Sequence, residues 1–283
     1  MQAMNSCELC KNQDNSIIMD FGVFKLYKCS NCGLVFVRPK PEFDMTKDIY
    51  DTKYLDYLVS NSKASDRFFD AMINVIKAYK EKGKVLDVGF GAGHFLKKMK
   101  SAGYNVSGVE ISKSACEYVR SHYGIDRLHC GNFVEFQTED TFDVITFWDS
   151  LQCVTSPFEF IGKANKLLNK GGIIVIQVPN RGKLNFKYAR LLYKLSRQLA
   201  RVFLHVPAAL TLFDEATLKR ALEVNGFEVK TLVEDKRFRR FRWSGKFGIK
   251  ELIINIIENT FTALEKLKNE KHPLIIIGEK TKE

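Results

Sequence analysis

The stretch that decides the fold of this 283-residue chain is VLDVGFGAG, which runs from Val85 to Gly93. Its apolar first half predicts a buried strand, its glycines predict a loop, and a helix is predicted from His94 through Lys100. Such a unit lets backbone amides and the helix N-terminus approach a ligand closely. The glycines have the form GxGxG and not GxGxxG, so the loop fits the fingerprint of an NAD site poorly.

An acidic residue stands at the end of the next predicted strand. Tyr104 to Val109 has the pattern of a strand, and Glu110 follows it directly. In this fold class an acid at that place can accept hydrogen bonds from both hydroxyls of a ribose. Its alternative role is to cap the helix predicted from Lys113 to Tyr123, but Ser112 is better placed for that cap. The pattern therefore indicates a nucleoside site.

Three further apolar runs continue the alternation of strands and helices. The predicted strands and the residues that end them are Leu128 to Cys130 with Gly131, Asn132 and Phe133, Phe142 to Phe147 with Trp148 and Asp149, and Gly172 to Val178 with Pro179 and Asn180. Helices are predicted between them. The fold class is therefore α/β, a doubly wound Rossmann-like parallel sheet whose ligands collect at the carboxyl ends of the strands.

Two cysteine pairs of equal spacing open the chain, Cys7 with Cys10 and Cys29 with Cys32. Four thiolates at this spacing predict a closed, tetrahedral zinc site with a structural role. Gly33 favours a tight turn whose backbone amides point at the sulfurs. Two disulfides in a secreted domain, or thiols without a metal, are the alternatives. We prefer zinc because no signal peptide precedes the pairs.

The three remaining cysteines, Cys116, Cys130 and Cys153, stand singly in apolar surroundings. Such cysteine usage is typical of a reducing compartment. The sequence contains no run of 18 apolar residues, so it predicts no membrane span. We therefore expect a cytoplasmic protein, and a position peripheral to the inner face of the membrane is the alternative.

Composition shifts divide the chain into three parts. Residues 1–40 form the zinc-binding head, residues 41–82 a helical linker or lid, and residues 83–283 the α/β domain with insertions at about 181–206 and 236–272. The head is too short to build an independent apolar core. Metal would therefore supply much of its folding free energy.

The net charge of +11 belongs to two segments of the chain. Residues 181–206 contain seven Lys or Arg and no acid, and residues 236–250 contain another seven and no acid. The rest of the chain carries 30 basic and 33 acidic residues. Its body is thus slightly acidic, which excludes a protein that is basic throughout.

The cations of the first segment recur every three or four residues, which predicts one stripe along a single helix. They are Lys183, Lys187, Arg190, Lys194, Arg197 and Arg201. The second segment, Lys236 to Trp243, interleaves cations with aromatic rings. Both segments suit a lid over the ligand site, an anionic membrane surface or lipid-linked acceptor, or, less well, nucleic acid.

Four stretches resemble successive motifs of class I S-adenosylmethionine-dependent methyltransferases. They are VLDVGFGAG, the strand that ends in Glu110, FDVITFWDSLQCV and LLNKGGIIVIQVPN. The similarity covers about residues 40–235. The cysteine pairs followed by GLVFVRPKP resemble a subgroup with a zinc-binding head, many of whose members act on sugars or other small metabolites.

The resemblance implies that S-adenosylmethionine lies along the strand ends. The implied contacts are Asp87, Gly89, Gly91 and Gly93 around the methionine part, Glu110 at the ribose, Asn132 and Phe133 at the adenine, and Trp148 and Asp149 at the sulfur. Most relatives have Asp where Asn132 stands, and an amide can replace it as a partner for the adenine amino group.

The chain departs from these relatives where they carry histidines near the acceptor. Many relatives have E-H-V where this chain has Gln152-Cys153-Val154, and P-E-H-L where it has Pro207 to Leu210. Cofactor binding should survive both changes, whereas the identity of the general base is left open. His205 is the candidate base because it lies close to the second missing histidine.

These features predict methyl transfer from S-adenosylmethionine to a small-molecule acceptor, a sugar or a nucleotide- or lipid-linked sugar, at oxygen or carbon. One alternative is an RNA methyltransferase, which the zinc module and basic segments favour and the absence of an N-P-P-Y motif opposes. Another is a cofactor-binding adaptor without activity, which the missing histidines permit.

Overall fold

The computed structural model describes residues 6–41, 52–60, 62–233 and 273–281. The strands within these ranges are β1 (Asn15–Asp20), β2 (Lys25–Cys29), β3 (Val35–Arg38), β4 (Lys84–Val88), β5 (Asn105–Glu110), β6 (Leu128–Cys130), β7 (Phe142–Trp148), β8 (Leu168–Val178), β9 (Thr211–Leu212), β10 (Phe227–Val233) and β11 (Leu274–Lys280). The helices are α1 (Thr52–Ser60), α2 (Ser62–Lys77), α3 (His94–Ser101), α4 (Lys113–Tyr123), α5 (Pro157–Leu167), α6 (Lys183–Leu195), α7 (Arg197–Phe203) and α8 (Glu215–Glu223), with a 3₁₀ turn at Leu151–Cys153.

Seven strands form the main sheet in the order β10-β11-β8-β7-β4-β5-β6. The five strands from β8 to β6 pair in parallel, whereas β11 is antiparallel to both of its neighbours. The strand order reverses between β4 and β7, and a crevice for ligands opens at such a switch point. The predicted α/β class with a doubly wound sheet is confirmed.

Apolar side chains cover both faces of this sheet, because successive residues of each strand point to opposite faces and both sets are apolar. Ile174 and Ile176 of β8 face α5 and α8, whereas Ile173 and Val175 face α2, α3 and α4. A central parallel strand is buried on both sides, which explains why β8 has a continuous apolar run. The main sheet is therefore the middle layer between two layers of helices.

Three strand boundaries differ from the predicted ones. The second predicted strand begins at Asn105 and includes Glu110, and β7 includes Trp148. The fifth begins at Leu168, well before Gly172, because its first residues already pair with β7. Glu110 and Trp148 therefore belong to rigid strand ends and not to the loops that follow.

A second, smaller sheet has the order β1-β2-β3-β9. Its fourth strand comes from far along the chain, with Val35 opposite Leu212 and Phe36 opposite Thr211. Its apolar side packs against α6 and α7. The predicted head is thus built into the rest of the molecule, which agrees with its being too short for a core of its own. The proposed boundary at residue 40 stays a prediction.

The predicted single helix through the first basic segment is wrong. Ser196 adopts extended backbone between α6 and α7, and its hydroxyl accepts a hydrogen bond from the Leu199 amide. A serine cap stabilises a new helix start, so the stripe is divided between two helices. The second predicted insertion, residues 236–272, lies outside the described residues.

Two of the three cysteines predicted to stand singly are joined. Cys116 of α4 and Cys130 at the end of β6 form a disulfide. The sequence pattern could not show this pairing, because it depends on α4 packing beside β6. Cys153 takes no part in that disulfide.

None of the helices in the described ranges is long and apolar enough to cross a bilayer.

Candidate functional site

The glycine loop after β4 takes a path that other residues would obstruct. Gly89 and Gly91 have φ angles of 78° and 52°, in the left-handed region that favours glycine. A Cβ at Gly89 would lie 2.6 Å from Cβ of Ser150, and one at Gly91 would lie 2.9 Å from Cδ1 of Leu58. The loop is therefore held close to both the β7 end and α1, with its amides near the switch point.

Glu110 ties this loop to the start of α4. Its Oε2 accepts a hydrogen bond from the Gly91 amide at 2.8 Å, and its Oε1 accepts one from the Ser112 amide at 3.1 Å. The predicted cap at Ser112 is confirmed, since its hydroxyl accepts from the Ala115 amide. A carboxylate has about four acceptor sites, so Glu110 keeps capacity for two ribose hydroxyls.

Burial governs the charge of Glu110. The residue is 8% exposed, and burial raises the pKa of its carboxyl group above the ordinary value, although the Ser112 and Gly91 amides lower it in part. A buried carboxylate that two amides already hold is rigid. This rigidity suits a group that must meet a ligand in one geometry.

Asp87 is the second buried acid at the switch point. It is 1% exposed, and Oγ1 of Thr146 donates to its Oδ1 at 2.7 Å. Burial raises the pKa of Asp87 to about 8, with a further contribution from the negative charge of Glu110. A cation bound nearby would favour the ionised form and lower this pKa. A buried carboxyl group with a raised pKa at this edge of the sheet is a candidate functional group.

Helix α1 covers the glycine loop from outside. Leu55 and Leu58 pack with Ala92 and with Ala115 of α4. The Leu58 carbonyl lies 3.2 Å from Nε2 of His94, the first residue of α3. The linker thus supplies one wall of the site, in line with its predicted role as a lid, which stays a prediction.

Trp148 and Asp149, the two residues implied to lie near the cofactor sulfur, differ in burial at the end of β7. The Trp148 ring packs among Phe68, Phe69 and Phe95, with centroids 5.1 to 5.6 Å apart. Its buried Nε1 has no hydrogen-bond partner among the described residues. Asp149 is exposed, has a φ of 54°, and its Oδ2 accepts from Nε2 of Gln177 at 3.2 Å.

The predicted adenine contacts lie after β6. Asn132 is exposed, and its Oδ1 accepts from the Val134 amide at 3.1 Å. The Phe133 ring is 2% exposed and packs against Phe147 and Phe160 in the core. Asn132 is therefore the more accessible of the two, and both adenine contacts stay predictions.

The two departures from the relatives are neighbours in space. The Leu210 amide donates to the Gln152 carbonyl at 2.8 Å, which brings Ala209 beside the 3₁₀ turn. Gln152 is 7% exposed; its Nε2 donates to the Asp149 carbonyl, and its buried Oε1 has no partner among the described residues. His205, the predicted base, is exposed with a φ of 58°.

The sequence did not predict three polar residues that form hydrogen bonds with the candidate site residues and with the end of β4. Thr146 holds Asp87, Ser150 Oγ donates to the Val88 carbonyl at 2.7 Å, and Gln177 holds Asp149. Thr146 and Gln177 are polar residues inside strands that are otherwise apolar. That break in the pattern was the available signal, because a buried polar group needs a partner.

The four N-terminal cysteines come together as predicted. The sulfurs of Cys7, Cys10, Cys29 and Cys32 all lie within 4.8 Å of one another. Cys7 and Cys29 are buried, and Nδ2 of Asn12 lies 3.7 Å from the Cys29 sulfur. Four converging thiols with an amide donor beside them match the donor set of a structural zinc site.

A family model described as a methyltransferase domain matches residues 61–232, more than half of the chain. That range contains the glycine loop, Glu110, Asp87 and the whole parallel part of the sheet. The chain belongs to this family, the class I S-adenosylmethionine-dependent methyltransferases.

Curated relatives and solved structures agree with this class. A ubiquinone biosynthesis O-methyltransferase of Coxiella burnetii is 30% identical over 165 residues, which are 53% of this chain and 70% of the relative. Other curated relatives of the same name are covered over 46% of their length, so the chain spans about half of those proteins.

Two solved structures share the fold. A S-adenosylmethionine-dependent methyltransferase from Archaeoglobus fulgidus superposes with a TM-score of 0.51 at 19% identity, covering 79% of this chain and 99% of that one. An amino pentose methyltransferase, CalS10 from Micromonospora echinaspora, superposes with a TM-score of 0.50 at 14% identity, covering 79% and 97%.

Proposed function

We propose that this chain transfers a methyl group from S-adenosylmethionine to a hydroxyl of a small molecule, with a sugar as the acceptor class. The observation that carries the proposal is the switch-point site, where Glu110 and Asp87 lie buried beside a glycine loop. Support for a hydroxyl comes from curated relatives named as O-methyltransferases. Support for a sugar comes from the structural likeness to an amino pentose methyltransferase.

S-adenosylmethionine supplies a methyl group already activated on a cationic sulfur. The protein therefore has to hold donor and acceptor in line and exclude water. Glu110 would bind the ribose hydroxyls, the loop amides would hold the carboxylate of the methionine part, and Asp87 would favour the positive charge. Helix α1 shields this region from solvent.

Gln152 is proposed to orient the acceptor. A buried carbonyl oxygen without a partner costs about 1–3 kcal/mol, so Oε1 of Gln152 would be stabilised by a hydroxyl hydrogen of the acceptor. Together with Nε1 of Trp148 it offers one acceptor and one donor near the end of β7. A glutamine cannot take up a proton, and His205 remains our proposed base.

A zinc ion held by the four cysteines is the second part of the proposal. The sulfurs are close enough for one tetrahedral ion, and four thiolates leave no open position for water. Zinc at this site would be structural. It would fix the turns that carry β2 and β3, and through β3 it would fix β9.

The test of function is transfer of labelled methyl from S-adenosylmethionine to a panel of sugars, nucleotide sugars, lipids and RNA. We expect a sugar product. His205→Ala should lower turnover about 100-fold with little change in cofactor affinity, because a base acts only in the transition state. His122→Ala is the matched control, since His122 is exposed on α4.

Equal activity in the two histidine variants would remove His205 from the mechanism. A methylated RNA product would favour the RNA methyltransferase. Cofactor binding without any methylated product would favour the adaptor.

A further inference from the structure

Helix α6 presents two leucines to solvent. Leu191 is 53% exposed and Leu195 is 72% exposed, and they lie one turn apart on the same side. The other side of the helix is anchored, since Ala189 and Leu192 are buried against the small sheet. Exposed apolar residues grouped on a fixed element indicate an interaction surface.

A third exposed apolar residue comes from the head. Val23 is 74% exposed at the tip of the β1–β2 hairpin, where the Phe21 amide donates to the Phe24 carbonyl. The Phe21 ring meets the Tyr193 ring edge-on at 5.7 Å, and the Tyr193 hydroxyl donates to the Asp20 carbonyl at 3.0 Å. These contacts hold the hairpin against the side of α6 that carries Tyr193, about 160° around the helix from Leu191 and Leu195, and so help to fix the helix in place.

Cations surround the leucines. Lys187, Arg190 and Lys194 are exposed on α6 at positions that share the face of Leu191 and Leu195. The Arg197 guanidinium lies 5.9 Å from the centre of the Tyr193 ring, and residues 181–206 contain no acid. Asp20, the acid at the hairpin, is paired with Lys25 at 3.5 Å.

We propose that the exposed side of α6 forms a docking face that binds an anionic phospholipid surface. The face consists of Leu191 and Leu195 with Lys187, Arg190 and Lys194. An interfacial helix combines cations that attract anionic headgroups with apolar side chains that enter the acyl boundary. Aliphatic side chains cannot stack on bases as the aromatic rings of a single-strand binding site do, so the face fits lipid better than nucleic acid.

The docking face goes beyond the proposed function, because it concerns where the enzyme is held and not what it methylates. An enzyme bound to the membrane surface would lie close to an acceptor that carries a lipid. Vesicle binding and cofactor binding are measured separately, so failure of one is distinguishable from failure of the other.

The test is co-sedimentation of the full chain with vesicles of phosphatidylcholine alone or mixed with phosphatidylglycerol. We expect binding to the anionic vesicles that weakens as salt rises, because salt screens exposed charges. The double variant Leu191→Ser, Leu195→Ser should bind at least about tenfold more weakly, since it loses the apolar side chains that enter the bilayer.

Val224→Ser is the matched control. Val224 is 59% exposed at the end of α8, away from the docking face, and its replacement should leave vesicle binding unchanged. A second double variant, Lys187→Ser, Lys194→Ser, should reduce the salt dependence, whereas Lys113→Ser on α4 should not. Calorimetry with S-adenosylmethionine verifies that each variant is folded.

Four results would overturn the proposal. One is binding that does not depend on anionic lipid, and another is equal binding by the leucine variant and Val224→Ser. The third is vesicle binding that the double variant Arg239→Ser, Arg240→Ser of the second basic segment weakens, whereas the leucine and lysine variants of α6 leave it unchanged. RNA oligonucleotide binding in place of vesicle binding would assign the cations to nucleic acid instead.

Discussion

Asp87 is a carboxyl group whose charge is disfavoured until a cationic ligand binds. It is buried beneath the glycine loop, with Thr146 as its hydrogen-bond donor. Its pKa is raised to about 8 by burial and by the negative charge of Glu110. Folded protein without ligand therefore holds a proton at Asp87 over a pH range in which the unfolded chain has lost it.

This difference in pKa predicts a loss of stability with rising pH. The pKa of the carboxyl group is near its ordinary value of 3.8 in the unfolded chain and about 8 in the folded one. Between these values the folded state binds more protons, so the free energy of unfolding falls as pH rises, by at most about 1.4 kcal/mol per pH unit. Asp87→Asn should flatten this dependence in thermal melts of ligand-free protein between pH 5 and about 8.

Asp126→Asn is the control for this measurement, because Asp126 is exposed after α4. It should melt with the slope of the wild type. An unchanged slope in Asp87→Asn would show that Asp87 does not carry the raised pKa.

At the scale of elements, the pairing of β3 with β9 joins the cysteine cluster to the 3₁₀ turn at Gln152. Cys29 ends β2, β2 pairs with β3, and β3 pairs with β9. The residue before β9, Leu210, donates to the carbonyl of Gln152. Distortion of the head should therefore reach the 3₁₀ turn before it reaches the glycine loop.

Elemental analysis should find one equivalent of zinc per wild-type chain. The variant Cys29→Ser is expected to lose this zinc. Metal supplies much of the folding free energy of such a small module, so the head should unfold. Turnover should fall, whereas affinity for S-adenosylmethionine should change by less than about threefold, because Glu110 and Asp87 lie on other strands. Lys28→Ser, which changes an exposed residue of the same strand, is the control. A metal-free wild type with four titratable thiols and a normal fold would contradict the zinc site.

The elements that the sequence predicted are those with local signals. The apolar run and glycines around Asp87 predicted β4 and its loop, and Ser112 predicted the start of α4. The pairing of β3 with β9, the disulfide between Cys116 and Cys130, and the place of β11 could not be predicted. They depend on contacts between distant parts of the chain, which leave no periodic pattern. The break at Ser196 did have a local signal, a serine able to cap a helix.

At the scale of the whole molecule, the parallel sheet brings residues from separate motifs to one edge. Glu110 and Trp148 end β5 and β7, Asp87 lies one residue before the end of β4, and α1 packs over the loop after β4. Doubly wound sheets bind ligands at this edge because the strand order reverses there. The predicted position of the cofactor residues therefore follows from the fold, whereas the proposed acceptor side depends on the turn at Gln152 and, through β9, on the head.

The central claim is that Glu110 holds S-adenosylmethionine at this edge, and calorimetry tests it most directly. Wild-type protein should bind the cofactor in the micromolar range, and Glu110→Ala should weaken binding by roughly 1–3 kcal/mol because buried ribose hydroxyls lose a charged acceptor. Glu117→Ala, on the exposed side of α4, should bind like the wild type. Absence of binding to the wild type, tighter binding of NAD, or equal affinity in the two variants would contradict the account.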